Sequence, residues 1–131
     1  MSLNKQTVRK YIDGFNKSDH AQILSCLTDD VEWIIPGAFH VLGKDAFDKE
    51  IENDAFIGNP AVQLTRMTEE NDVVIGEGTV RVAWKAGGFL NAVFCDVFEM
   101  EKPESGAWLV IWLPPTRKPG SEVWRRSAVT P

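Results

Sequence analysis

The sequence predicts one α+β domain in which helices pack on one face of an antiparallel sheet. Two observations support this prediction: helical periodicity dominates up to residue 53, and from residue 61 the chain changes to strands separated by turn residues. The length of 131 residues fits one domain and permits one substantial hydrophobic core. We expect the domain to cover residues 1–115 and residues 116–131 to form a C-terminal tail.

Three helices are expected in the first half of the chain. Four apolar residues of the first helix lie at the spacing of one helix face: Val8, Tyr11, Ile12 and Phe15. The second helix follows Ser18 or Asp19, either of which can cap it. The third covers residues 44–53 and places Phe47 and Ile51 on one face.

A short strand and a loop are expected between the second and third helices. Residues 31–35 form a β-branched run, and Pro36-Gly37 ends that run in a turn. Residues 38–43 are then predicted to be a loop that holds Phe39 and His40.

Four strands are predicted after a break at Gly58-Asn59-Pro60: residues 61–68, 72–86, 89–101 and 107–113. In the third of these, Asp96 shares a face with apolar residues, and the opposite face is apolar as well. An antiparallel sheet with one wet face would alternate between apolar and polar residues. Because helices can cover only one face, we expect a homodimer through the other.

Composition and charge exclude several classes of function. The net charge of −5 argues against sequence-independent binding of nucleic acid, which needs a basic surface. No apolar run is long enough to span a membrane, so we expect a cytoplasmic protein. Cys26 and Cys95 each lie in an apolar run and are expected to be buried free thiols. No metal-ligand spacing, phosphate loop or dinucleotide motif occurs, so we expect neither a metal nor a cofactor.

Asp96 is the best candidate for chemistry. Its neighbours on the same strand face are Phe94 and Phe98, so the carboxyl group would be poorly solvated and its pKa should rise. A protonated Asp96 could donate a hydrogen bond to a ligand carbonyl, and a partly protonated one could act as general acid or base. The alternative is a structural carboxylate bonded to Tyr11 or to an indole N–H.

Two further polar residues are candidates for the same site. Tyr11 lies on the buried face of the first helix, where it is either a functional donor or a core residue. His40 lies in the predicted loop, where a pocket would open, and could act as a base or could be a solvated side chain. Nine apolar residues are candidate walls of a pocket for a small, flat hydrophobic molecule: Trp33, Ile35, Phe39, Phe47, Phe56, Trp84, Phe94, Phe98 and Trp112.

Several segments resemble the nuclear-transport-factor-2-like superfamily, which includes ketosteroid isomerase and SnoaL-like polyketide cyclases. The segments are TVRKY at residues 7–11, FNKSD at 15–19, LTDDVEW at 27–33, FCDVFEM at 94–100 and WLVIWLPP at 108–115. The resemblance covers roughly residues 4–115. It implies a cystatin-like cone, with three N-terminal helices packed on a curved antiparallel sheet around a pocket.

The resemblance also implies roles for individual residues. Ketosteroid isomerase combines an Asp base with a donor pair made of a Tyr and a protonated Asp. Those positions fall on Ile35, Tyr11 and Asp96, and isoleucine cannot move a proton. SnoaL-like cyclases use an acidic residue at the position of Asp96, whereas limonene-epoxide hydrolases need an Asp-Arg-Asp set, for which Arg81 and Glu77 are the candidates beside Asp96.

Three hypotheses therefore remain open. The first is a cofactor-free isomerase or cyclase that acts on a hydrophobic carbonyl compound through Asp96, assisted by Tyr11 or His40. The second is a pocket protein that binds a hydrophobic ligand without turning it over. The third is an association domain in which the sheet face matters more than the pocket.

Overall fold

The computed structural model describes residues 2–35, 39–101 and 107–112. The elements follow in the order α1 (Leu3–Lys17), α2 (His20–Ser25), β1 (Glu32–Ile35), β2 (Phe39–Leu42), α3 (Lys44–Glu50), β3 (Phe56–Glu70), β4 (Val73–Trp84), β5 (Phe89–Met100) and β6 (Ala107–Trp112). The predicted α+β class, with helices packed on an antiparallel sheet, is confirmed. The predicted tail, residues 116–131, lies outside the described residues.

Helix α1 begins and ends where local hydrogen bonds terminate it. The side chain of Ser2 accepts a hydrogen bond from the amide of Lys5, and Ser18 ends the helix with a left-handed backbone (φ 51°). Asp19 then caps α2 by accepting from the amide of Gln22 at 3.0 Å. The predicted apolar stripe of α1 packs against β3 and β4.

The main sheet has four antiparallel strands in the order β3-β4-β5-β6. We call the face that carries Asp96 and the other even-numbered residues of β4 and β5 the inner face, and the opposite face the outer face. Register pairs Asp96 with Gly76 of β4 and with Ile111 of β6. Helix α1 covers the inner face.

Strands β1 and β2 form a separate antiparallel hairpin that lies against β6. The prediction that residues 38–43 form a loop is therefore wrong. Trp33 pairs with Val41 and Ile35 with Phe39, so a hairpin replaces the loop. Four-residue strands give too little alternation to be detected by sequence pattern alone.

The predicted break at Gly58-Asn59-Pro60 is also wrong, because β3 begins at Phe56 and runs through these residues. The register with β4 shifts between Ile57 and Ala61, and Gly58 takes a positive φ of 75°. This irregularity absorbs the tripeptide as a bulge. Strand β3 lies at the edge of the described sheet, where proline costs little because its missing N–H would face outward.

The side chain of Asn16 makes hydrogen bonds to the backbone of the edge strand β3 that a neighbouring strand would otherwise make. Asn16, at the end of α1, donates from Nδ2 to the carbonyl oxygen of Val62 at 2.9 Å and accepts at Oδ1 from the amide of Val62 at 2.6 Å. These are the two bonds that a neighbouring strand would make. Asn16 therefore fixes the C-terminal end of α1 to β3.

The core joins all three helices to both sheets. It contains Val8, Tyr11, Ile12, Ile23, Cys26, Leu27, Val31, Trp33, Ile35, Phe47, Val74, Phe98 and Met100. Cys26 is buried as predicted, whereas Cys95 is only half-buried because it lies on the outer face; both are free thiols. No helix among the described residues is long and apolar enough to cross a membrane.

Candidate functional site

Asp96 lies at the centre of the inner face and is 5% exposed. Phe94 and Phe98, on either side of it along β5, are buried on the same face. Because the carboxyl group is shielded from water, burial raises its pKa well above the ordinary range of an aspartate. Asp96 is therefore buried, as the sequence predicts.

Two glycines of β4 make room for the rings beside Asp96. Gly76 pairs with Asp96, and Gly78 pairs with Phe94. A Cβ at Gly78 would lie 2.8 Å from Cζ of Phe94, and one at Gly76 would lie 3.3 Å from Cε2 of Phe98. Both rings therefore lie against β4 backbone that carries no side chain. Sequence pattern did not identify these glycines as part of the site, because their role depends on the register.

Tyr11 faces the same region from α1 and is 3% exposed. Its ring packs edge-to-face against Phe15, Phe47 and Phe98, with centroid distances of 4.9, 6.3 and 5.6 Å. Burial and then the negative charge of Asp96 raise the pKa of its hydroxyl well above the ordinary range. The hydroxyl and the carboxyl therefore belong to one electrostatic site.

Each group has one buried polar atom without a hydrogen-bond partner among the described residues. Among the described residues, no hydrogen-bond partner lies within reach of Oη of Tyr11 or of Oδ1 of Asp96, although both atoms are fully buried. Buried polar atoms are almost always hydrogen-bonded in folded proteins. Asp96 therefore does not bond to Tyr11, and among the described residues both atoms remain available to a polar group of a ligand. A bond from Asp96 to an indole N–H of Trp108 or Trp112 stays a prediction, because those side chains lie outside the described part of the chain.

The predicted wall residues divide into two clusters. Trp33 stacks on Phe47 at 4.1 Å, and these residues join Ile35, Phe98 and Tyr11 in the core. Phe56 and Trp84 instead stack on each other at 4.4 Å as a cross-strand pair. That pair lies eight residues along β4 from Gly76, which is about 26 Å at the usual rise per residue.

His40 lies away from Asp96 and Tyr11. It is on β2, its side chain is 54% exposed, and Nε2 lies 3.1 Å from Oε2 of Glu32. It pairs with Ile34 and so lies on the opposite side of the hairpin from Trp33 and Ile35. The structure therefore does not bring His40 into contact with the buried pair.

The last two predicted wall residues are fixed only by register. Phe39 pairs with Ile35. Trp112 pairs with Cys95, the residue before Asp96, whereas Asp96 itself pairs with Ile111. Their side chains lie outside the described part of the chain.

The family model for the SnoaL-like domain matches residues 8–108, a span that includes Tyr11, Trp33 and Asp96. The chain belongs to the SnoaL-like family. No functionally curated protein matches it significantly. The resemblance to the nuclear-transport-factor-2-like superfamily is confirmed.

Solved structures share the SnoaL-like fold at low sequence identity. TerC, co-crystallised with polyporic acid, is 22% identical with a TM-score of 0.74, over 85% of this chain and 89% of its own. An NTF2-like protein of unknown function from Burkholderia pseudomallei is 24% identical with a TM-score of 0.73, over 86% and 89%. A Shewanella denitrificans protein described as a SnoaL-like polyketide cyclase is 10% identical with a TM-score of 0.73, over 86% and 91%.

The epoxide-hydrolase arrangement does not form in this SnoaL-like chain. Arg81 and Glu77 are odd-numbered residues of β4 and lie on the outer face, away from Asp96. The guanidinium of Arg81 lies 3.8 Å above the ring of Phe89, and Glu77 accepts two hydrogen bonds from Arg66. The candidates Arg81 and Glu77 therefore do not complete an Asp-Arg-Asp set with Asp96.

An open groove of about 380 Å³ lies elsewhere on the molecule, between α1 and the edge of β3. Its lining consists of Ser2, Lys5, Arg9, Leu64, Thr65, Arg66, Met67 and Glu69, and includes none of the predicted site residues. A register shift between Leu64 and Arg66, together with these basic side chains, is the arrangement that protects exposed edge strands from unwanted pairing.

Among the described residues, no group of three His, Cys, Asp or Glu side chains could hold a metal ion.

Proposed function

We propose that this SnoaL-like protein binds a small hydrophobic molecule through an oxygen placed between Asp96 and Tyr11, and that it performs cofactor-free acid/base chemistry on a carbonyl compound of that kind. The observation that carries the proposal is the pair of buried polar atoms, Oδ1 of Asp96 and Oη of Tyr11, which have no partner among the described residues. Membership of a family that includes polyketide cyclases supports the same class of chemistry.

The two groups would have different roles. Tyr11, whose raised pKa keeps it protonated at neutral pH, would donate a hydrogen bond to the ligand oxygen. Asp96 would take a proton from the carbon next to the carbonyl group and then return it, from its carboxylic acid form, to the oxygen or to another carbon. One carboxyl group therefore serves as base and then as acid, and no second base is required.

A second candidate function is binding without turnover. Ile35 occupies the position at which the resemblance to ketosteroid isomerase places a base, and its side chain is buried in the core. A site without that base could still hold a ligand oxygen between Asp96 and Tyr11. Experiment can separate the two functions because binding and proton exchange are measured independently.

Binding is tested with 2-naphthol and, as a matched probe without oxygen, naphthalene. We expect the wild type to prefer 2-naphthol by about fivefold, since one net hydrogen bond contributes about 1 kcal/mol. Tyr11→Phe and Asp96→Asn should each reduce that preference, whereas His40→Gln should not. Equal affinity of the wild type for both probes would contradict the proposed site.

Turnover is tested by deuterium exchange at the carbons next to the carbonyl group of 2-tetralone, followed by proton NMR. We expect the wild type to accelerate exchange and Asp96→Asn to lose at least about 100-fold of that acceleration. Oxygen-dependent binding without exchange would support the second candidate function and reject the first.

We also propose that the outer face of the sheet binds a second copy of the chain. Three large apolar residues of this face, Ile57, Phe89 and Val93, are each at least half exposed. Val93→Glu should convert a dimer to a monomer at micromolar concentration in sedimentation equilibrium, because a charge would be buried at the interface. Leu42→Glu, a somewhat more exposed apolar position on β2, is the control. A monomeric wild type would reject the proposal.

A further inference from the structure

His20 joins two helices through both of its ring nitrogens. It is the first residue of α2, and Nδ1 lies 2.6 Å from Oδ1 of Asp48 while Nε2 lies 2.9 Å from Oε1 of Glu52. Asp48 belongs to α3, and Glu52 lies two residues after the end of that helix. A neutral imidazole has one N–H and can donate to only one of these carboxylates, whereas an imidazolium donates to both.

The protonation of His20 follows from these contacts. The hydrogen bonds to Glu52 and then to Asp48 raise the pKa of His20, and the opposing effect of burial is smaller. A histidine with a raised pKa in the folded state adds stability that is fully present below its unfolded pKa of about 6.5. That stability is lost as the pH rises through the higher pKa of the folded state.

Helix α3 depends on contacts of this kind. It has seven residues, and its N-cap, Gly43, offers no side-chain hydrogen bond. A helix this short is not stable in isolation and must be held by tertiary contacts. Its apolar contact is Phe47, which is fully buried between Trp33, at a centroid distance of 4.1 Å, and Tyr11, at 6.3 Å. His20 and Phe47 therefore hold the same helix through different side chains, Asp48 and Phe47, about 100° apart around the helix axis.

We propose that His20 is a positioning residue, which holds α3 through Asp48 and Glu52 and thereby fixes Phe47 against Tyr11. Loss of the imidazolium proton leaves one of the two contacts without a donor, loosens α3 and changes the packing around the Tyr11 ring. The functional meaning of this coupling rests on the proposed role of Tyr11. The coupling itself can be measured without any ligand.

The composition of the chain makes the test specific, because the protein has one tyrosine and two histidines. Incorporation of 3-fluorotyrosine gives a single ¹⁹F NMR signal that reports Tyr11. ¹³C-labelled histidine gives two signals, of which one reports His20. We expect the Tyr11 signal of the wild type to shift with pH, with the same midpoint as the His20 signal and above the unfolded histidine value of about 6.5.

Variants decide whether His20 causes that shift. Both variants are made in the Asp96→Asn background, because titration of the Asp96 carboxyl would also shift the Tyr11 signal. In His20→Gln the response of Tyr11 should then disappear, whereas His40→Gln, the matched control, should retain it. Glu52→Gln should lower the midpoint of both the His20 and Tyr11 signals, and it provides the same readout if His20→Gln does not fold. A Tyr11 signal that is flat while His20 titrates would overturn the proposal, as would an unchanged response in His20→Gln.

The outcome is independent of the catalytic proposal. Asp96→Asn should reduce the preference for 2-naphthol and leave the midpoint of the His20 signal unchanged, since the carboxylates that raise the pKa of His20 are Glu52 and Asp48. Loss of the Tyr11 response in His20→Gln, combined with normal probe selectivity, would support the coupling even if turnover is never observed.

Discussion

Asp96→Asn is expected to make the protein more stable at neutral and alkaline pH while it removes the proposed function. Burial raises the pKa of Asp96 well above its ordinary value, so the folded state binds this proton more tightly than the unfolded state does. The free energy of unfolding of the wild type should therefore fall as the pH rises from the unfolded value of about 3.9 towards the folded value. Asparagine carries no charge and removes this contribution.

The size of the effect follows from the cost of burying a charge. An ionised carboxylate without a full set of partners costs more than the roughly 1–3 kcal/mol of a neutral unsatisfied group. We expect Asp96→Asn to exceed the wild type by about 2 kcal/mol at pH 8 and to equal it near pH 3.5. Urea unfolding at a series of pH values, followed by tryptophan fluorescence, measures the difference.

A control is needed because a second acid contributes to the same slope. Burial and the neighbouring charge of Glu32 raise the pKa of Glu99 on the outer face. Glu99→Gln should reduce the pH dependence less than Asp96→Asn, because Glu99 is less shielded from water. Equal changes in the pH dependence would show that Asp96 is no more shielded than Glu99, and stability of the wild type that rises with pH through this range would contradict the raised pKa of Asp96.

Stability and the proposed function make opposite demands on Asp96 and Tyr11. The polar atoms of Asp96 and Tyr11 lie in an aromatic core, where two unsatisfied groups reduce stability. Apolar residues at both positions would fold more stably. Their retention is explained if a ligand supplies the missing hydrogen bonds.

Much of the fold could be predicted because long amphipathic elements repeat their pattern. The stripe of α1 contains Val8, Tyr11 and Ile12, and all three are buried. Alternation along β5 placed Asp96 on the same face as Phe94 and Phe98, which the register confirms. In each case several residues indicate the same buried face of the helix or strand, so one exceptional residue does not change the prediction.

The errors occurred where local propensity competes with tertiary context. Gly58-Asn59-Pro60 would end an isolated strand, but a bulge on an edge strand accommodates these residues. A loop prediction assigns no orientation to a side chain, so the sequence alone could place His40 at the mouth of a pocket. Once β2 pairs with β1, His40 is directed to the side of Glu32.

Within the site, the acid and the hydroxyl could be predicted but their surroundings could not. Tyr11 and Asp96 come from a helix stripe and a strand alternation, each of which is a local pattern. The stacking of Trp33 on Phe47 depends on how a hairpin and a short helix pack, and no local pattern contains that information. The same holds for the glycines of β4, whose importance appears only with the register.

Gly78→Ala should be the most destabilising small substitution near the site. A Cβ at this position would lie 2.0 Å from the carbonyl oxygen of Gln63 and 2.8 Å from Cζ of Phe94. The first contact is with backbone of the paired strand, so the β3–β4 ladder must move to relieve it. Overpacking usually costs about 1–3 kcal/mol, and we expect about 3 kcal/mol here because the clash cannot be relieved by rotating a side chain.

Gly76→Ala is the matched control, two residues away on the same face. Its Cβ would lie 3.2 Å from Cδ2 of Leu64 and 3.3 Å from Cε2 of Phe98, and both atoms are at the ends of side chains that can shift. We expect a loss of about 1 kcal/mol, partly offset because alanine is more favourable than glycine in a strand. Urea unfolding compares the two variants, and equal losses would show that β4 does not approach β3 and Phe94 as closely as described. Because Phe94 borders Asp96, Gly78→Ala should also weaken 2-naphthol binding more than Gly76→Ala does, so that the backbone space at Gly78 limits both the stability of the sheet and the shape of the site.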